Sequence, residues 1–188
     1  LHYTMVEFGT ALALIWVFNY HVNGVGGKDL FSEWHVSRDV FFLTILIITF
    51  VYDYLYEEVL VRMVVMGILI GFLINWIPLH DSGFSMLIGM AAAGGFFLLQ
   101  YLISRGRWIG GGDIWIGAMM GVWLGWPKVL VALFLAYILG AVIGGILLLT
   151  KKKQMGSPLP FGAFLAVATF FTIYYGETII RWYLQLLK

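Results

Sequence analysis

The sequence predicts an all-α fold, a polytopic transmembrane helix bundle of about seven spans. Three observations lead there. Apolar residues make up 62% of the 188 positions and charged residues only 11%, where soluble domains carry about 25% charged residues. The mean hydropathy is +0.94. Apolar runs of roughly 20 residues, the length that crosses a hydrocarbon core, follow one another along the whole chain. A net charge of +1 provides no basic field for nucleic acid. Cysteine is absent, which removes disulfides, thiolate metal sites and a cysteine nucleophile together.

The first run, near residues 4–21, has no basic n-region and contains Glu7, so it reads as a span rather than a cleavable signal peptide. A polar loop follows from Asn23 to Asp39, with Gly24, Gly26, Gly27 and mixed charges, and it shows no recognisable chemistry. Further runs lie near 38–56, 59–78 and 84–104. The fifth, near 113–126, is short, and Pro127 separates it from the sixth, near 127–150. The seventh lies near 159–180.

Small residues recur at helical spacing: Gly67 with Gly71, Ala91 with Gly95, Gly140 with Gly144, and the series Gly117, Gly121, Gly125. Such spacing lets helices pack closely in lipid. In the fifth run it gives one face that can lie against a neighbouring backbone. His2, His21, His35 and His80 are scattered, and no pair has the helical spacing of a zinc site. No metal and no cofactor is expected.

With the first span starting inside, the inner loops hold Arg62, Arg105, Arg107, Lys151, Lys152 and Lys153, against Lys28, Arg38 and Lys128 outside. The excess of inner positive charge predicts a cytoplasmic start and an outward C-terminus.

Two acids interrupt the apolar runs. Asp113 follows Gly110, Gly111 and Gly112 at the start of the fifth run, and Asp53 lies near the end of the second. The plain reading of Asp113 is a helix N-cap, since Asp is favoured there. Asp53, with Glu57 and Glu58, has a plain reading too, as a hydrated helix end. Yet an acid at membrane depth is costly and marks a partner or a wet cavity. In the predicted orientation both acids lie on the cytoplasmic side. Two carboxylates a few ångströms apart cannot easily both ionise, so the pair titrates as a unit. The ionised member can take a proton from water while the neutral one donates to a scissile carbonyl. That is aspartic peptidase chemistry, and the pattern leaves open which Asp plays which part. Fourteen residues from Asp113 to Trp126 rise only about 21 Å, less than the core thickness of roughly 30 Å, which would sink Asp113 below the membrane surface.

These residues resemble a known family. Gly110, Gly112 and Asp113 match the GxGD signature of the type IV prepilin peptidases, and Gly121–Trp126 is similar to the segment that follows it. Phe50–Tyr54 resembles the region of the family's first catalytic aspartate, which falls on Asp53. Leu159–Leu165, with Pro160, Phe161 and Gly162, is similar to its final Pro-Phe-Gly-containing span, and Tyr3–Thr10 to its early helix. The resemblance implies a single transmembrane peptidase domain over residues 1–188 of the GxGD aspartic type, with Asp53 and Asp113 catalytic. It implies removal of the short basic leader of type IV prepilins or pseudopilins on the cytoplasmic face of the bacterial inner membrane, serving a pilus or type II secretion machine. Leu60 departs from a usual Pro, Glu57 and Glu58 from usual basic residues, and Ala163 from a common second Pro. Nothing of the family's frequent cytoplasmic methyltransferase domain, with its paired CxxC motifs, is expected in this stretch, so S-adenosylmethionine chemistry has no support.

Two other functions fit the same acids. A small ion or proton transporter would use paired carboxylates beside broken helices, and a catalytically lapsed scaffold of the pilus machine would explain the departures. Phe161, Trp115 and Trp123 are candidates to line the path of a substrate helix, or else plain interfacial aromatics.

Overall fold

A computed structural model of the protein describes residues 2–22, 33–77, 82–152, 154 and 159–187, with side chains from Val6 in the first helix and from His35 in the second. Gly24, Gly26, Gly27, Lys28, His80 and Lys153 lie outside the described residues, as do the side chains of His2 and Tyr3. Seven helices follow in order: α1 (His2–Val22), α2 (Glu33–Tyr56), α3 (Val61–Trp76), α4 (Gly83–Ser104), α5 (Gly111–Leu124), α6 (Lys128–Leu149) and α7 (Phe161–Leu186). The all-α expectation holds. The helix count matches the seven runs, but only α2, α4, α6 and α7 contain segments long and apolar enough to cross a membrane by themselves. The apolar part of α1, Val6–Val22, and all of α3 are shorter, and α5 has 14 residues.

The short helix is the hub. α2, α3, α4, α6 and α7 form a closed ring, each packed on the next, and α5 stands inside it against α3, α4, α6 and α7. α2 reaches it through Phe42, whose ring stacks on Trp123 with centroids 3.9 Å apart. Nine of the 14 residues of α5 are buried, and a helix apolar all round belongs in an interior.

Glycine makes this placement possible, because association in lipid relies on close packing rather than on a hydrophobic drive between helices. A methyl on Gly121 would strike the backbone of Gly89 and Met90, and one on Gly117 would strike Phe97 and Ala93 of α4. On α3, Gly67 and Gly71 leave room for Met119 and Trp123, and the Trp123 indole N–H donates to the Gly67 carbonyl at 2.9 Å. On α4 the contact face differs from the expected pair: Gly89 and Gly94 meet α5, whereas Gly95 faces open space. Spacing alone leaves the rotational register of a helix open when it is apolar all round.

α5 stops at Gly125, whose φ of +67° suits glycine. Ser85 then secures the turn, its hydroxyl donating to the Trp126 carbonyl at 3.0 Å and accepting from the Trp126 amide at 3.0 Å.

α1 lies outside the ring against α2. Val17 packs with Leu43 and Tyr174, and His21 Nε2 lies 3.1 Å from Asp39 Oδ2. Arg38 Nε donates to the other oxygen of Asp39 at 2.7 Å. The loop expected to run to Asp39 is therefore already helix from Glu33, and its last residue is a buried ion-pair centre rather than an exposed polar group.

Candidate active site

Three chain segments meet at one end of the bundle: the C-terminal end of α2 and the starts of α5 and α7. The last turn of α2 closes when the Glu57 amide donates to the Asp53 carbonyl at 2.9 Å, with Glu57 itself at a φ of +52°. The connection to α3 then brings Val59 over the start of α5, filling the space that a side chain on Gly112 would need. Gly112 is thus required by close approach. Gly111 meets nothing nearer than the Tyr101 ring at 3.9 Å, and a methyl on Gly110 would make only ordinary contact.

Gly110, not Asp113, occupies the N-cap position of α5. Asp113 is the third helical residue, and its Oδ2 accepts from the Gly110 amide at 3.1 Å while its own amide donates to the Gly110 carbonyl at 3.2 Å. The capping reading was right about the job and wrong about the position. The same carboxylate that closes the turn is 94% buried, with a relative exposure of 6%.

Asp53 is buried to the same degree. Its Oδ2 accepts from the Ala163 amide at 2.8 Å, so the carboxylate sits at the start of α7, where free amides and the helix dipole favour negative charge. A methyl on Gly162 would press on both the Asp53 carboxyl and Ile116. The Pro160–Phe161–Gly162 segment thus has a defined part: Pro160 caps α7, and Gly162 lets α7 come down on Asp53. The Phe161 ring lies 5.1 Å from that of Tyr137 and 6.0 Å from that of Phe97.

The carboxylates of Asp53 and Asp113 are close enough for the charge on one to act on the other. Among the described residues neither is paired with Lys, Arg or His. Two buried acids from separate helices thus stand at the same end of the bundle, each held by a backbone amide.

The sequence reading missed Tyr137 and Gln100. Their side chains bond to each other, Gln100 Nε2 to the Tyr137 hydroxyl at 2.7 Å and that hydroxyl to Gln100 Oε1 at 3.0 Å, and Tyr137 is near enough to feel the charge of Asp113. The available signal was an amide side chain inside an apolar run. Of the expected path-lining aromatics, Trp115 is 44% exposed, whereas Trp123 is buried in the core at the other end of α5 and plays no part at the aspartates.

Fold and site together define a polytopic helical membrane protein with two buried carboxylates at one end of its bundle, neither paired with a cationic side chain among the described residues. Residues 40–145 match the type IV leader peptidase family, and the chain belongs to that family. The match includes Asp53, Gly110, Gly112 and Asp113 and ends before Pro160. Similar proteins include the prepilin leader peptidase/N-methyltransferase of Aeromonas salmonicida, 31% identical over 119 residues that cover 63% of this chain and 41% of the relative. That of Pseudomonas aeruginosa is 27% identical over 97% of this chain and 61% of its own length. That of Legionella pneumophila is 30% identical over 83% and 58%. The chain spans between 41% and 61% of the length of these curated relatives. No solved structure matches it.

Proposed function

We propose that the protein is a membrane-embedded aspartic endopeptidase that removes the leader peptide of type IV prepilins or pseudopilins, with Asp53 and Asp113 as its catalytic pair. The observation that carries this reading is two buried carboxylates from separate helices at one end of the bundle, each accepting from a backbone amide and neither paired with a described Lys, Arg or His. Both acids meet a helix start, and Asp53 is the ionised member in this reading because its bond from the Ala163 amide, at 2.8 Å, is shorter than the 3.1 Å bond from Gly110 to Asp113, as hydrogen bonds to a charged acceptor are. It takes a proton from water as the oxygen attacks the scissile carbonyl carbon, and Asp113 gives its proton to the carbonyl oxygen. Breakdown returns a proton to the leaving nitrogen as the C–N bond breaks, leaving the leader with a carboxylate and the pilin with a free amine.

The peptidase domain spans residues 1–188 in this reading. Arg62, Arg105, Arg107, Lys151 and Lys152 cluster toward the aspartate end of the helices and Arg38, Lys128 and Arg181 toward the other, an excess that supports a pair facing the cytoplasm in the inner membrane. Glu57 and Glu58, both exposed and one turn past Asp53, would attract a basic leader. A pilus or type II secretion machine would be the downstream partner. The methyltransferase half of the relatives' name is not carried over to this chain.

The test is leader cleavage of a pilin-like substrate in membranes carrying the full chain, Asp53→Asn or Asp113→Asn. Loss of cleavage with either substitution is expected. Wild-type cleavage by either variant removes that residue from the mechanism, and acid-dependent ion flux in liposomes with no cleaved product identifies a transporter instead.

A further inference from the structure

The end of the bundle opposite the aspartates holds a polar cavity of about 150 Å³. It lies among the start of α2, the C-terminal ends of α3 and α5, and the starts of α4 and α6, and Arg38, Asn75, Ser82, Ser85, Trp126 and Lys128 line it. None of these residues serves the aspartate pair.

Three features of the cavity point to a ligand. The first is an orphaned buried atom. Asn75 is 99% buried, with a relative exposure of 1%. Its amide nitrogen faces the Val122 carbonyl at 3.4 Å, and its Oδ1 has no hydrogen-bond partner among the described residues. A buried acceptor left unpaired is costly, so the site calls for a donor. The second is a pair of basic side chains, each with donors beyond the one that its ion pair uses. Arg38 commits its Nε to Asp39, and its two terminal nitrogens make no hydrogen bond to a described residue. Lys128 meets Glu177 at 3.3 Å in a pair whose side chains are 33% and 63% exposed, and exposed pairs of this kind are exchanged at little cost. The third is the backbone. The N-termini of α4 and α6 both open at this cavity, where their dipoles favour an anion.

An anion and a hydrogen-bond donor are therefore wanted within one small volume, equivalent to about five waters. The cavity also stands where helices end. Trp76 and Trp126, 55% and 46% exposed, flank it as aromatic residues do at membrane interfaces, and basic pockets between transmembrane helices suit phosphate head groups. We propose that this cavity binds the head group of a membrane phospholipid, its phosphate held by Arg38 and Lys128 and its ammonium or hydroxyl group donating to Asn75 Oδ1. The acyl chains then lie along the apolar exterior, and the lipid bridges α2, α3, α4 and α6 at the end away from the chemistry. The proposal stands independently of the peptidase reading.

The test uses the full chain, purified in detergent and stripped of lipid, with binding followed by native mass spectrometry and by the shift in thermal unfolding. Phosphatidylglycerol and phosphatidylethanolamine, whose head groups carry donors, are expected to bind and to raise the unfolding temperature. Phosphatidylcholine, which has a phosphate but no donor, is expected to bind about tenfold more weakly, the equivalent of one hydrogen bond to a buried group. Arg38→Gln and the more exposed Lys128→Gln should each weaken binding by a similar factor, the second without disturbing the Asp39 ion pair. Equal binding of all three lipids by wild type and Lys128→Gln would overturn the proposal. Inorganic phosphate alone giving the full thermal shift would overturn it too, since the site would then take a free anion.

Discussion

The protein buries aspartates at both ends of its bundle and treats them in opposite ways. Asp39 is locked between His21 and Arg38, at 3.1 and 2.7 Å. Asp53 and Asp113 accept from backbone amides, at 2.8 and 3.1 Å, and are paired with no cationic side chain among the described residues. A buried carboxylate with a cation has its charge answered and its geometry fixed, and removing one partner strands the other. A buried carboxylate without one is left for other work, and the proposed peptidase chemistry is work of that kind. Burial alone does not separate the two ends, since all three acids are within a few per cent of fully buried. The partner does.

The strongest way to break this contrast is at the cation-free end. Asp53→Asn and Asp113→Asn should each lower leader cleavage by about 10³-fold, within the range for removing a general acid or base, while the unfolding midpoint in detergent moves little. Geometry comes next. Gly162→Ala would push the Asp53 carboxyl out of place and should cost about 10²-fold in cleavage rate, the scale of an ångström's displacement of a reacting group. Gly111→Ala, next to the N-cap of α5 but meeting nothing nearer than the Tyr101 ring at 3.9 Å, should cleave at the wild-type rate in the same assay.

At the paired end the expected effect is on stability. Asp39→Ala leaves His21 and Arg38 unmatched and should destabilise the protein by about 3 kcal/mol, read from the unfolding midpoint, while cleavage per folded molecule stays within about twofold of wild type. A fall in cleavage as deep as that of Asp53→Asn would erase the distinction between the ends. Of the substitutions expected to slow cleavage, the mildest is at Ala163. Proline there, in the first turn of α7, is compatible with the helix but removes the N–H that reaches Asp53. Ala163→Pro should reduce cleavage about fivefold, the value of roughly 1 kcal/mol for one hydrogen bond.

That last residue shows how much of the site was legible. Ala163 stood out in the sequence as a departure from a common Pro, but only the fold shows its consequence, a backbone donor to an acid 110 residues away. Val59 had no distinguishing mark at all, yet it explains why Gly112 must be glycine while Gly111 need not be. Asp39 was read as the end of a polar loop, because a carboxylate near a span boundary looks the same whether it meets water or a histidine from another helix.

The sequence by itself determined the class of protein, the number of helices and the two acids worth testing, because hydropathy is local and a charge inside an apolar run declares its cost wherever the run ends up. The tertiary structure decided which helix stands at the centre, which glycines are indispensable, and which buried aspartate has a cation and which has only its fellow. Those are matters of contact between segments far apart in the chain. In a helix apolar on every side, no periodicity marks the face that will meet a neighbour, so packing alone chooses it.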